Sequence, residues 1–265
     1  MTAAPREWHR FSRGERLSRY AVYLVTVAAV VWSIRYVEVI PEFLADAPAQ
    51  SVDLFRRMWP FDWAFYPKEV HAALIETLHI ATLGTLLSIV LAVPVALLAA
   101  RNITRYRVLN LFATFILVSS RSVNSLIWAL LFVAIFGPGA LAGVMSIAFR
   151  SIGFVGKLLA EAIEESAPGP VEALQATGAP FASLLSKAYW PQVEPSFWSI
   201  ALFRWDINIR ESAVLGLVGA GGIGVALEGA MSNLYWDQVG LILAVIFAVV
   251  IVTEIVTTAI RQRII

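Results

Sequence analysis

Residues 238–260 read QVGLILAVIFAVVIVTEIVTTAI, and no charge interrupts the run from Val239 to Thr253. About 20 apolar residues cross roughly 30 Å of hydrocarbon when helical. Lipid offers the backbone no hydrogen-bond partners, so such a run must satisfy its own N–H and C=O groups as a helix. Comparable runs lie at Tyr20–Ile40, Ala72–Ala100, Val108–Phe136, Ala140–Ala160 and Pro195–Val218. Together they explain why 59% of the 265 residues are hydrophobic and only 15% charged, with a mean hydropathy of +0.74. The expected fold is an all-α membrane protein with a bundle of six transmembrane helices. Val108–Phe136 reads as one long, tilted span, and Pro94 is expected to bend the second. Tyr20–Ile40 is too long for the apolar core of a cleaved leader, so it reads as the first span.

The net charge of +1 argues against a nucleic-acid partner, and the chain has no cysteine to form disulfides or thiolate metal sites. Charge placement is more informative. Arg6, Arg10, Arg13, Arg16 and Arg19 precede the first span, Arg101, Arg105 and Arg107 join the second to the third, and Arg261 and Arg263 follow the last. Lys157 and Lys187 flank the segment between the fourth and fifth spans. All of these fall on one side of a six-span topology, whereas Arg56, Arg57 and Lys68 fall on the other. By the positive-inside rule both termini are cytoplasmic. The external loop Pro41–His71 interleaves Trp59, Phe61, Trp63, Phe65 and Tyr66 with prolines, as either an interfacial aromatic belt or a docking surface for an external partner.

The cytoplasmic segment of about 161–191 contains Pro168-Gly169-Pro170 and then VEALQATG at 171–178. A short helix is expected from Pro170, with Glu172 in its positive first turn and Gly178 as its left-handed stop. A second short helix, Phe181–Tyr189, leads to Trp190-Pro191. Glu172-Ala173, Gly178 six positions after the Glu, and Pro191 thirteen after the Gly resemble the EAA signature of ABC importer permeases. The segment departs from that signature at Leu174, Ala188 and Trp190. The resemblance implies a type I ABC importer permease fold in which the short helix couples to a separate ATPase.

Several further blocks resemble phosphonate-importer permeases of the PhnE type: Arg121-Ser122-Val123, residues 128–133 (WALLFV), Gly156-Lys157, residues 161–164 (EAIE), residues 169–174 (GPVEAL), Arg204 with Asn208 and Arg210, and residues 218–224 (VGAGGIG). The match runs from about Ala72 to the C-terminus. It implies an N-terminal part, 1–71, holding the basic segment, first helix and external loop, and a permease core, 72–265. It implies as partners a dimer of ABC ATPase subunits carrying ATP and Mg, an external substrate-binding protein and a second copy of the chain. The chain itself would hold no cofactor and catalyse nothing. Asn124 stands where proline is expected, Arg150 where histidine is common, and Glu211 where a small residue is usual. These departures bear on which oxyanion is carried.

Charges inside the spans stand out independently of any resemblance. Arg121 lies among Ser119, Ser120, Ser122, Asn124 and Ser125 in the third span; Arg150 lies in the fourth; Arg204, Asp206, Arg210 and Glu211 lie in the fifth. Each would cost roughly 3 kcal/mol or more facing lipid, so each must face protein, water or a counter-ion. At 100° per residue Arg204, Asn208 and Glu211 share one face of the fifth span, and Asp206 and Arg210 share the opposite face. Asp206 and Arg210 read as an ion pair within the bundle. Arg121, Ser122, Arg204 and Asn208 are the candidates for an oxyanion pathway, although Arg204 can equally serve as the partner of Glu211.

Gly219, Gly221, Gly222 and Gly224 fit a dinucleotide-binding pattern formally, but they follow a membrane helix rather than a strand. A flexible external gate or tight re-entry, or close helix packing, are the readings they allow. A competing function is an ion-coupled secondary anion carrier or channel acting without an ATPase. That class predicts inverted repeats and broken helices with mid-membrane acids.

Overall fold

The computed structural model describes residues 11–37 and 40–264, and among these every regular element is helical. His9, Arg6 and Arg10 lie outside the described residues. The chain divides into one unit ending at Phe55 and a second beginning at Arg56.

The first unit holds α1 (Arg13–Tyr36) and most of α2 (Pro41–Met58). A capping box starts α1: the Ser12 hydroxyl accepts from Glu15 N–H at 3.3 Å, and the Glu15 carboxylate accepts from Ser12 N–H at 2.9 Å. The expected span Tyr20–Ile40 therefore begins earlier and stops at Tyr36. The next segment is a helix rather than the expected loop. Phe43, Leu44, Leu54, Phe55 and Met58 fall on one face of α2 and Glu42, Asp46, Asp53, Arg56 and Arg57 on the other, the pattern of a helix lying in a membrane interface. Pro48 sits inside it and hides it from a reading that treats proline as a stop.

The second unit is a bundle around α3 (His71–Ala99). Thr77, Gly84, Thr85, Ser88, Ala92, Ala96 and Ala99 form its buried stripe. Small side chains there let α6 (Ala140–Glu164) approach closely. A Cβ at Gly84 would lie 2.6 Å from Ile147 Cγ2, so the contact requires glycine.

Val108–Phe136 is not one continuous helix. It folds as α4 (Arg107–Ser122) and α5 (Ser125–Phe136), bent by 92° at Val123-Asn124. Hydropathy drops at the break, where residues 119–125 read SSRSVNS, and the local chemistry turns the chain. Asn124 takes an extended conformation and its Oδ1 accepts from Leu126 N–H at 3.1 Å, which makes it the N-cap of a new helix. Ser120 fixes the end of the old one: its hydroxyl donates to the Phe149 carbonyl of α6 and accepts from Gly153 N–H at 3.1 Å. Among the described residues four helices are long and apolar enough to cross a membrane alone, and up to six crossings result when each bent pair, α4 with α5 and Phe181–Val218 with Ile223–Ser232, counts as one.

Beyond α6 come α7 (Pro168–Ala176), the single turn α8 (Phe181–Leu184), a π-helical turn and α9 (Trp190–Leu215). The second short helix expected at Phe181–Tyr189 is thus not separate but runs into the fifth span, which begins at Trp190 rather than Pro195. After α9 a tight turn leads to α10 (Ile223–Ser232) and then α11 (Trp236–Ile264). The turn is packed rather than open. Gly219, Gly221 and Gly222 have φ of +81°, +81° and +75°, Gly219 O accepts from Gly139 N–H at 2.9 Å, and Ile223 N–H donates to Thr77 Oγ1 at 2.7 Å. Gly224, inside α10, lies against Gly216, where an added Cβ would meet Gly224 Cα at 2.5 Å.

Candidate functional site

Two polar regions stand out in this apolar chain. The first lies inside the bundle, where α3, α6 and α9 meet. Packing α9 against both neighbours turns its Arg204, Asn208 and Glu211 face inward. Asn208, fully buried, donates through Nδ2 to Thr85 Oγ1 of α3 at 2.7 Å and accepts through Oδ1 from Ser151 Oγ of α6 at 3.2 Å. Ser151 Oγ in turn accepts from Arg204 Nε at 2.9 Å. Arg204 Nη2 reaches Glu211 Oε2 at 3.3 Å, and Glu211 Oε1 pairs with Arg150 Nη1. One carboxylate therefore bridges two guanidiniums. The Arg204 side chain is 4% exposed, Glu211 17% and Arg150 29%, so the bridge leads from the interior to the edge of the chain.

Sequence reasoning singles out Arg204 and Asn208 but not the role of Arg150. Arg150 and Glu211, both departures from the PhnE-type pattern, are bonded to each other, and 61 positions separate them. Nothing local in the sequence links them.

Arg121 occupies the last turn of α4 beside the 92° break, with an exposed side chain and no hydrogen-bond or ion-pair partner among the described residues. Its backbone touches α6 one turn from Arg150, since a Cβ at Gly153 would lie 2.9 Å from Arg121 N. Ser122 does not join the network; its hydroxyl donates to Ser119 O at 2.9 Å. On the far face of α9, Arg210 Nη2 donates to Asp206 Oδ2, leaving Asp206 Oδ1 buried without a hydrogen-bond partner among the described residues.

The second region runs from α7 to the start of α9. Helix α7 begins at Pro168, two residues earlier than expected, so Glu172 lies beyond its first turn. Val171 is buried and Leu174 partly buried against Ala188, Tyr189, Val193 and the ends of α3 and α6. Leu174, a departure from the signature, thus serves as an anchor for the short helix. Glu172 and Ala173 point outward and Glu172 has no side-chain hydrogen bond among the described residues. Gly178, at φ +72°, closes the helix, with its N–H donating to Gln175 O at 3.0 Å. A Cβ there would meet nothing within 4 Å, so the backbone conformation, not crowding, calls for glycine. Pro191 comes after the π-helical turn, in the first turn of α9, and is exposed.

At the opposite end of the bundle a cavity of about 610 Å³ opens between the start of α3, α10 and the start of α11, bordered by Lys68, Glu69, Glu76, Asn233, Tyr235 and Gln238.

Residues 92–265 match the family described as "binding-protein-dependent transport system inner membrane component". Among curated proteins the chain is similar to the phosphate-import permease protein PhnE of Mycolicibacterium smegmatis, 39% identical over 231 residues, covering 87% of this chain and 43% of that protein. It is also similar to the phosphite transport system permease protein PtxC of Stutzerimonas stutzeri, 41% identical over 190 residues, covering 72% of this chain and 69% of the relative. The chain thus spans less than half the length of the first of these relatives. Among solved structures it resembles a chain of an amino acid ABC transporter (TM-score 0.64, 20% identity, 76% of this chain and 96% of the other). It also resembles a chain of the inward-facing MetNI methionine ABC transporter (TM-score 0.63, 20% identity, 74% and 96%). The fold is that of the type I ABC importer permeases.

Proposed function

Because the chain belongs to the family of binding-protein-dependent transport system inner membrane components, we propose that it is the transmembrane permease subunit of an ATP-driven importer for phosphonate, phosphite or phosphate. The observation that carries the substrate class is the excess of positive charge in the bundle. Arg204 and Arg150 share the single carboxylate of Glu211, and the backbone of Arg121, which has no ion-pair partner among the described residues, packs on α6 one turn from Arg150. A tetrahedral oxyanion suits such a cluster, because guanidiniums present forked donors to paired oxygens. The names of the relatives, phosphate-import and phosphite transport permeases, point to the same chemistry.

In this reading residues 72–265 form the permease core, and two copies enclose the path. The exposed Glu172-Ala173 face, seated by Val171 and Leu174, docks into a separate ATPase that binds ATP and Mg. Gly178 and Pro191 hold that face in place. In the same reading the end bearing α7, which carries Arg101, Arg105, Arg107, Lys187, Arg261 and Arg263, is the cytoplasmic end, and by the positive-inside rule both termini are cytoplasmic. The cavity at the other end receives substrate from an external binding protein. The packed Gly219–Gly224 turn braces that end. The chain hydrolyses no ATP and holds no cofactor of its own.

The test is uptake into proteoliposomes containing the chain, its ATPase and its binding protein, supplied with phosphate, phosphite or methylphosphonate. ATP-dependent uptake of one of them, lost with Glu172→Lys, is the expected result. Uptake that needs neither ATP nor a partner would instead identify an ion-coupled carrier.

A further inference from the structure

We infer that Glu211 is a built-in stand-in for the transported oxyanion: its carboxylate occupies Arg150 and Arg204 between transport events, and an incoming oxyanion takes its place. The inference rests on the proposed transport reading and adds a mechanism of release to it.

Arg150 and Arg204 carry two positive charges against the one negative charge of Glu211, so the cluster is one anion short of neutrality. A buried excess cation is costly in a bilayer and draws in an anion. The donor inventory agrees. A guanidinium has five N–H donors. Arg204 commits Nε to Ser151 and Nη2 to Glu211, Arg150 commits Nη1 to Glu211, and their other N–H groups have no hydrogen-bond acceptor among the described residues.

Geometry singles out Glu211 as the replaceable partner. Ser151, Asn208 and Thr85 are buried and hold one another and Arg204 in a chain of hydrogen bonds reaching α3. Glu211 is bonded to none of these three. Its two oxygens each face a different guanidinium, as two oxygens of a phosphate or phosphonate would. Its side chain keeps 17% exposure and that of Arg150 keeps 29%, whereas Arg204 behind them keeps 4%. An anion arriving from the exposed side meets the Arg150–Glu211 edge first, and the carboxylate can turn toward that opening while the Arg204–Ser151–Asn208–Thr85 chain stays intact.

The consequence is kinetic. Two preorganised guanidiniums without a competitor would hold an oxyanion tightly and delay its release. A carboxylate tethered on the same helix competes at high effective concentration, which weakens net binding and returns the site to its starting state once the anion leaves.

The test uses the full-length chain purified in detergent, without ATPase, and reads its melting temperature against added inorganic phosphate, methylphosphonate or chloride at matched ionic strength. A further arm adds short-chain phosphatidylglycerol, because a lipid headgroup presents the same phosphate chemistry. Glu211→Gln is expected to be stabilised by phosphate or methylphosphonate at concentrations at least tenfold below those acting on the wild type, with no such shift in chloride. Glu211→Asp should restore the wild-type response. Equal responses of wild type and Glu211→Gln, equal stabilisation by chloride, or stabilisation by phosphatidylglycerol alone would each overturn the inference. If Glu211→Gln does not fold, Arg150→Gln, which removes one of the two guanidiniums and leaves Glu211 paired with Arg204, should abolish the stabilisation of the chain by phosphate, and a response equal to that of the wild type overturns the proposal. Failure of the transport reading looks different: the wild-type assembly takes up none of the anions with ATP, whatever the melting data show.

Discussion

The α7 segment and the Arg150–Glu211–Arg204 cluster are both polar regions of an apolar chain, yet they are built in opposite ways. In α7 the proposed docking residues Glu172 and Ala173 are adjacent and exposed, Glu172 has no side-chain hydrogen bond among the described residues, and two anchors, Val171 and Leu174, hold the helix against the bundle. The cluster draws its residues from α6 and α9, and the hydrogen bond from Asn208 to Thr85 that extends it to α3 joins positions 123 apart. A surface for a partner can be encoded locally because the partner supplies the other half. A site inside a membrane must supply its own counter-charges, and it does so from wherever the bundle brings helices together.

The sharpest way to break the comparison is at α7. Glu172→Lys or Gly178→Asp should reduce ATP-dependent uptake to background in proteoliposomes while the purified chain melts within a few degrees of wild type. Both positions are exposed, and surface substitutions usually change stability little. If either variant fails to insert, α7 is a structural element and the contrast with the cluster disappears.

At the cluster the expectation is reversed, with stability and transport falling together. Arg204→Ala takes one of two guanidiniums from Glu211 and the donor from Ser151, leaving Arg150 and Asn208 as their partners, which should cost about 2 kcal/mol, the size of a lost hydrogen bond to a charged group. Arg121→Ala removes an exposed cation with no partner among the described residues, so melting should stay near wild type while anion uptake falls. Equal losses of stability in both variants would return Arg121 to the structural framework.

How far the sequence can be read obeys the same division. The apolar runs place the spans because each needs only its own residues. The signature at Glu172, Gly178 and Pro191 is legible because its spacing is local. The break at Asn124 falls in the polar stretch 119–125, which a reading by long apolar runs absorbs into one span because both flanks are apolar; only the capping bond of Asn124 shows that one helix ends there and the next starts. Helix α2 escapes such a reading too, because Pro48 interrupts a pattern whose two faces nonetheless segregate. The partner of Arg150 is not legible at all. Glu211 lies 61 positions away, and only the packing of α6 on α9 brings them together.

Smaller effects separate conformation from charge within each region. At Gly178 an alanine meets no neighbour and suffers only the left-handed backbone, a penalty of about 1 kcal/mol. Gly178→Ala should therefore retain most uptake where Gly178→Asp loses it, and a loss as deep as that of Gly178→Asp would mean that the turn itself, not the surface beside it, transmits the ATPase stroke.

Asp206 offers the mildest perturbation and the strictest control. It is buried, yet it accepts from Arg210 through one oxygen only, and the Arg210 side chain is 44% exposed. Asp206→Asn keeps the shape and one acceptor while removing a buried negative charge, so stability read from the melting temperature should move by no more than about 0.5 kcal/mol. Because Asp206 lies on the face of α9 away from Arg204 and Glu211, uptake kinetics should be unchanged. A raised KM for the anion in this variant would mean that charge is balanced across the whole helix rather than within the Glu211 cluster. The local bridge would then be one part of a wider field, and the division between a partner-completed surface and a self-completed interior would have to be drawn around α9 as a unit.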